Sequence, residues 1–216
     1  MTALRELRAE VVAVMRILQH AGLNYGAAGN VSTRVEGGFL VTPTGVPPDE
    51  LEPDQIVLLD YAGEPGPEQR WRASSEWRFH RDVYVARPEI NAVVHVHSTY
   101  ATALACARRD IPAFHYMICA AGGDSVRCAP YALFGTQDLS DVAVAALEGR
   151  RACLLANHGM IAIGATLPAA LRLTTEIEEL ARQYCITLQI GGPQLLDDTE
   201  MSEVLERFKT YGQQPR

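Results

Sequence analysis

The run His95-Val96-His97 places two imidazoles either side of one valine, inside the otherwise apolar segment Asn91 to His97. In an extended chain alternate residues project to the same face, so the two rings would stand side by side while Val96 faces the opposite layer. Burying two imidazoles costs free energy unless each finds a partner, and one divalent cation satisfies both. The plain alternative is a pair of hydrogen-bonded core histidines, which is the favoured reading of an isolated His-x-His. A third imidazole shifts that balance. His158, in Asn157-His158-Gly159, breaks an otherwise buried strand at a small residue, the kind of place where a side chain is aimed into a site. Three histidines make a zinc site with an open position. Glu76, following Ser74-Ser75 at the mouth of a predicted helix, is a candidate fourth ligand or a base beside the metal. As an acid in a first helical turn it would also suit the helix dipole, with Ser75 as N-cap, and the two readings are compatible.

Three further segments, Gly26-Ala-Ala-Gly-Asn30, Thr42-Pro-Thr-Gly45 and Ser74-Ser75, offer small residues, hydroxyls and backbone N–H groups near element ends. Such turns and helix N-termini hold phosphate without a basic side chain. Each taken alone reads as a turn; together with the metal-ligand set they point weakly to a phosphorylated substrate.

The elements that must carry these residues follow from periodicity. Leu4, Leu7, Val11, Val14 and Leu18 fall on one side of a helix spanning residues 3 to 20 that stops at Gly22. Asn30 to Val35 and Gly38 to Thr42 read as a hairpin about Glu36-Gly37, and Gln55 to Asp60 as a further strand. Helices are predicted over residues 75 to 86, 99 to 108, 138 to 148, from Pro168 to about Ile190, and from about Thr199. Strands are predicted at residues 91 to 97, 152 to 156 and 160 to 163. The pattern is α/β, a mixed and largely antiparallel central sheet covered by helices, in one domain over residues 1–216.

Composition narrows the function. With 26 acidic against 19 basic side chains, the formal charge of -7 repels a phosphate backbone, which argues against nucleic acid as a partner. No apolar stretch reaches the ~18 residues needed to cross a bilayer. The first ten residues carry charges where a secretory leader needs an apolar block, so a cytoplasmic location is expected. The 5 cysteines are widely spaced with no Cys-x-x-Cys pair, and read as reduced, mostly buried apolar fillers.

The motifs Gly-Ala-Ala-Gly-Asn-Val-Ser, Val-Thr-Pro-Thr-Gly, Ser-Ser-Glu-Trp-Arg-Phe-His, Ala-Val-Val-His-Val-His and Asn-His-Gly occur here in that order. The chain resembles the class II aldolase/adducin family from about residue 20 to its last few residues. Ile111 to Met117, Ala120 to Gly123, Cys128 to Tyr131, Phe134 to Thr136 and Phe208 to Gly212 look most like the branch that cleaves L-fuculose 1-phosphate. The resemblance implies a three-layer fold and a zinc-dependent lyase that reversibly splits a ketose 1-phosphate into dihydroxyacetone phosphate and a short aldehyde. L-Fuculose 1-phosphate, 5-deoxyribulose 1-phosphate and 5-methylthioribulose 1-phosphate all fit that description. It implies His95, His97 and His158 as ligands of one Zn2+ per subunit, joined by Glu76, which moves off as acid/base when substrate binds. Gly29, Asn30, Thr44, Gly45, Ser74 and Ser75 match phosphate-holding positions. Tyr116 matches a catalytic tyrosine that reaches into a neighbouring subunit's site, and Phe134 and Tyr211 match residues lining the aldehyde end. From the residues alone, these three aromatics read as ordinary interface packing. A four-fold symmetric homotetramer with sites between subunits is implied as well. Val96 departs from a polar residue in near relatives and, pointing away from the metal, is expected to matter little. Sugar-phosphate 4-epimerases, dehydratases and decarboxylases of the same family are the enzymatic alternatives, the epimerases typically carrying Asp where this chain has Glu76. An adducin-head-like binding module is the non-enzymatic one, and retention of all four metal-site residues argues against it.

Overall fold

The computed structural model describes residues 2–67 and 69–211. Of the motifs above, only the final Gly212 lies outside the described residues. Among these described residues seven strands form one sheet in the order β3-β2-β1-β4-β7-β6-β5: β1 (Asn30–Val35), β2 (Gly38–Val41), β3 (Val57–Asp60), β4 (Ala92–Val96), β5 (Arg127–Ala129), β6 (Ala152–Leu155) and β7 (Gly159–Gly164). All neighbouring pairs are antiparallel except β5 with β6. The expected mixed, largely antiparallel sheet is what forms.

Among the described residues six α-helices cover it: α1 (Thr2–His20), α2 (Trp77–Ala86), α3 (Thr99–Cys106), α4 (Gln137–Ala146), α5 (Leu167–Gln189) and α6 (Asp198–Phe208). Strand alternation divides the interior into two cores. Val31, Leu40, Val94, Val96, Leu154 and Met160 face α1, α3 and α5, whereas Phe39, Val41, Val93, Cys153 and Ile161 face α2 and α4. Side chains such as Leu18, Phe79 and Leu154, at most 1% exposed, each contribute about 1.5–3 kcal/mol by burial. The long α5 starts where Pro168 sits in its first turn and Thr166 caps it by accepting from the Ala169 N–H.

Three sequence expectations need correction. The Asn157-His158-Gly159 segment does not interrupt one strand: it lies at the reversal between antiparallel β6 and β7, with Leu155 paired to Gly159. Both flanking runs are apolar because both faces of the sheet are covered, so composition gave no sign of the fold-back. The short β5 and the 3-10 stretch Tyr116–Ala121 were not anticipated. Of the cysteines, all of them free, only Cys119 and Cys153 are buried; Cys106 is exposed.

Candidate metal centre

β4 delivers the first ligands. Its pleat sends Val94 and Val96 into one core and turns His95, fully buried, toward α2, where the edge of its ring meets Phe79. His97 follows on the same side, its ring centroid 4.9 Å from that of His95. His158 comes from the β6–β7 reversal and stands 4.8 Å from His95 and 4.9 Å from His97 by ring centroid. One ring nitrogen from each of the three falls within 4.8 Å of the others.

The tautomer of His95 follows from its partner. Nδ1 lies 2.9 Å from the Met160 carbonyl, which can only accept, so Nδ1 carries the proton and Nε2 presents a lone pair. That lone pair faces His97 Nε2 at 3.0 Å and Glu76 Oε2 at 3.3 Å. A backbone carbonyl orienting a ligand histidine through its remote nitrogen is the usual support of a metal site.

Glu76 occupies the N-cap position of α2, yet its side chain makes no capping bond there. The N-cap expected at Ser75 thus falls one residue later, and the Glu76 side chain serves the cluster instead of the helix end. Its Oε2 accepts from Asn30 Nδ2 at 2.9 Å. Its Oε1 is 3.2 Å from His158 Nε2, but the angles do not make a hydrogen bond and the buried oxygen has no partner. Burial alone would raise the Glu76 pKa; the facing His95, His158 and the Asn30 amide outweigh it and hold the carboxyl well below the usual carboxylate range. Burial pushes His95 down to about 3 and lowers His97 as well. At neutral pH the Glu76 carboxylate thus faces neutral His95 and His97 rings, the protonation state in which these groups bind metal. Converging lone pairs beside an orphaned carboxylate oxygen fit a divalent cation.

Close packing leaves little tolerance around this point. A Cβ on Gly159 would come within 2.5 Å of the Val96 carbonyl oxygen and 2.9 Å of His97 Cδ2. A Cβ on Gly29, whose φ is +72°, would fall 2.7 Å from the His95 carbonyl oxygen. Asn157 holds a left-handed φ of 56° and accepts from Arg108 Nε at 3.0 Å, which fixes the approach to His158. Past His97, the Glu178 carboxylate accepts from Ser98 Oγ at 2.7 Å and from the N–H groups of Tyr100 and Ala101, tying the start of α3 to α5.

The cluster opens into a cleft of about 310 Å³. Gly29, Asn30, Thr44, Gly45, Ser74 and Ser75 line it, together with Tyr131, Ala132 and Phe134. Among the described residues no lysine or arginine lines it, so an anionic group would meet hydroxyls, backbone and the N-terminus of α2. The structure does not bring Tyr116 or Tyr211 to this cleft. Tyr116 is 47% exposed and stacks on His115; Tyr211 is 62% exposed, stacks on Phe208 and borders a separate hollow beside Met117.

Sequence reasoning missed the support behind Glu76, namely His80, Ser32 and Tyr84. The signal was present: His80 follows Glu76 by one helical turn inside a quoted motif, which places both on one face.

Comparisons with known proteins identify the family. The sequence model of the family described as "Class II Aldolase and Adducin N-terminal domain" matches residues 9–185. A protein of Rhodospirillum rubrum named 5-methylthioribulose-1-phosphate/5-deoxyribulose-1-phosphate aldolase is 52% identical over 210 residues, covering 95% of this chain and 92% of that protein. The L-fuculose phosphate aldolase of Escherichia coli is 48% identical over 208 residues, covering 96% of each. A solved structure titled L-fuculose 1-phosphate aldolase superposes with a TM-score of 0.90 at 39% identity, covering 94% of this chain and 96% of that one.

Proposed function

The chain belongs to the class II aldolase and adducin family, and from that premise we propose that it is a zinc-dependent aldolase cutting a ketose 1-phosphate between C3 and C4. Its relatives at 52% and 48% identity are named aldolases, so its class is lyase. The observation that carries the reading is the convergence of His95, His97 and His158 on one point beside the Glu76 carboxylate.

His95, His97 and His158 would hold the metal, with Glu76 as the fourth donor; when bound it supplies a Lewis acid for the negative charge released as the carbon–carbon bond breaks. The chain's own residues do the rest. Thr44, Gly45, Ser74 and Ser75, with Gly29 and Asn30, hold the phosphate, so that binding energy distant from the reacting bond fixes the dihydroxyacetone phosphate half. As C3–C4 breaks, the C4 hydroxyl gives its proton to the partner subunit's Tyr116 as that phenol passes its own proton to solvent, and becomes an aldehyde. The electron pair left on C3 takes a proton from Glu76, which has picked it up from solvent once substrate binding frees the carboxylate from the histidines. Tyr116 and Tyr211 are exposed and distant from their own cleft, which supports a homotetramer with sites between subunits. Among the described residues no helix is long and apolar enough to cross a membrane, and we place the enzyme in the cytoplasm.

Removing the metal with a chelator and restoring it with zinc tests the reading: cleavage is expected to vanish and return. Activity that survives complete removal rules it out. The aldehyde end, rimmed by Tyr131, Ala132 and Phe134, offers apolar surface. Comparing kcat/KM on 5-methylthioribulose, 5-deoxyribulose and L-fuculose 1-phosphates identifies the physiological tail.

A further inference from the structure

Behind Glu76 runs a chain of hydrogen bonds that never reaches solvent. Asn30 Nδ2 donates to Glu76 Oε2 at 2.9 Å, and Asn30 Oδ1 lies 2.5 Å from His80 Nε2. His80 Nδ1 lies 2.6 Å from Ser32 Oγ, and Ser32 Oγ lies 2.7 Å from the Tyr84 hydroxyl. His80 and Ser32 are 0% exposed, Tyr84 1% and Asn30 3%. Two elements contribute: Asn30 and Ser32 from alternate positions of β1, and His80 and Tyr84 from successive turns of α2.

The proton positions follow from one constraint. A carboxylate only accepts, so the amide of Asn30 must turn its NH2 group to Glu76 and its oxygen to His80. His80 Nε2 must then carry a hydrogen. A second proton on Nδ1 would bury a cation, which burial opposes by pushing the ring's pKa down to about 3. Nδ1 is therefore an acceptor, Ser32 must donate to it, and the Tyr84 hydroxyl donates to Ser32. Every hydrogen in the chain points toward Glu76.

We propose that His80, locked as its Nε2–H tautomer by Ser32, is a positioning residue that holds the Asn30 amide in the one orientation able to donate to Glu76. The consequence lies in the carboxylate. With Oε2 engaged, Oε1, buried and unpartnered, is the oxygen left to carry the proton to and from substrate carbon. Without the lock, the Asn30 amide can reverse and set its own oxygen against the carboxylate, and the two carboxylate oxygens lose their separate roles. This inference rests on the reading of Glu76 as the proton carrier.

The test uses the metal-loaded full chain. Nitrogen-15 spectra of histidine-labelled protein at neutral pH, with the His80 resonance assigned by its loss in His80→Gln, should show a neutral ring protonated at Nε2. A ring protonated at Nδ1 overturns the proposal. In kinetics, His80→Leu should lower kcat for C3 proton exchange about 10- to 100-fold, with KM and zinc content within about two-fold of the parent. His80→Gln, whose amide can still donate to Asn30, should recover most of the loss. Unchanged kcat in His80→Leu, or zinc lost in step with activity, overturns the assignment, the latter because His80 would then be scaffolding for the metal. Glu76→Gln separates the two claims. If it exchanges the C3 proton at the parental rate, the reading of Glu76 fails; if it abolishes exchange while His80→Leu does not, only the present inference fails.

Discussion

Two regions bring imidazoles to the same point by different means. β4 presents His95 through regular extended backbone, anchored by the Met160 carbonyl and buried from all sides. The β6–β7 reversal presents His158 through a left-handed asparagine and a glycine with no room for a methyl group. The strand arm draws its geometry from the sheet, so its ligand is also part of the core. The turn arm draws its geometry from a few local contacts and leaves its ligand partly exposed, the His158 side chain being 13% accessible.

The sharpest way to break this contrast is Gly159→Ala, the position where both arms touch. The added methyl must displace the Val96 carbonyl or the His97 ring, and a loss of about 3 kcal/mol in denaturant unfolding is expected, with zinc stoichiometry reduced. A result within 0.5 kcal/mol of the parent (~0.5 being the usual spread of benign substitutions) would show the two arms to be mechanically independent.

The next effect separates the arms. His95→Ala leaves a buried cavity and removes the Nδ1 contact to the Met160 carbonyl, and should cost the metal-free protein about 2 kcal/mol. His158→Ala should cost it roughly 0.5 kcal/mol or less, as for a partly exposed side chain. Both should abolish stoichiometric zinc binding in elemental analysis. Equal stability losses would remove the distinction drawn here.

Acid sharpens the comparison from the strand side. His80, behind β1 and β4, is held neutral with its pKa pushed down to about 3 by burial, against the ordinary 6.5 of a histidine. The unfolded chain therefore binds a proton there that the folded chain refuses. Its contribution is complete above about pH 6.5 and is lost progressively as pH falls toward 3, at about 1.4 kcal/mol per pH unit from this group. Urea unfolding between pH 7 and 5 measures the slope, which should shrink in His80→Gln.

The smallest effect belongs to the turn. Asn157→Ala keeps the left-handed φ without the Arg108 contact and should cost about 1 kcal/mol, whereas Asn157→Gly should be nearly neutral in stability. Both are read from thermal unfolding; an alanine variant as stable as the glycine one would mean that the backbone there relaxes freely.

The same contrast explains what was legible beforehand. The pairing of His95 with His97 could be read locally, since extended backbone alternates whatever surrounds it. The helices α1 and α5 were legible for a similar reason, their apolar period and caps being carried by neighbouring residues. The hairpin at His158 was not, because two strands buried on both faces look like one broken strand. Glu76 was visible as a candidate but not its choice between cap and cluster, which depends on Asn30, a residue of β1 far from it in the chain.

The sequence by itself determined the donor types, their phases along strand and helix, and the absence of basic residues from the glycine and serine motifs, all of which are properties of neighbouring residues. Only the tertiary structure decided that His158 meets the other two rings, that Glu76 turns from its helix to the cluster, that His80 supports it from behind, and that Tyr116 faces away from its own cleft. Those outcomes depend on contacts between distant segments, set by sheet order and close packing, and no local pattern encodes them.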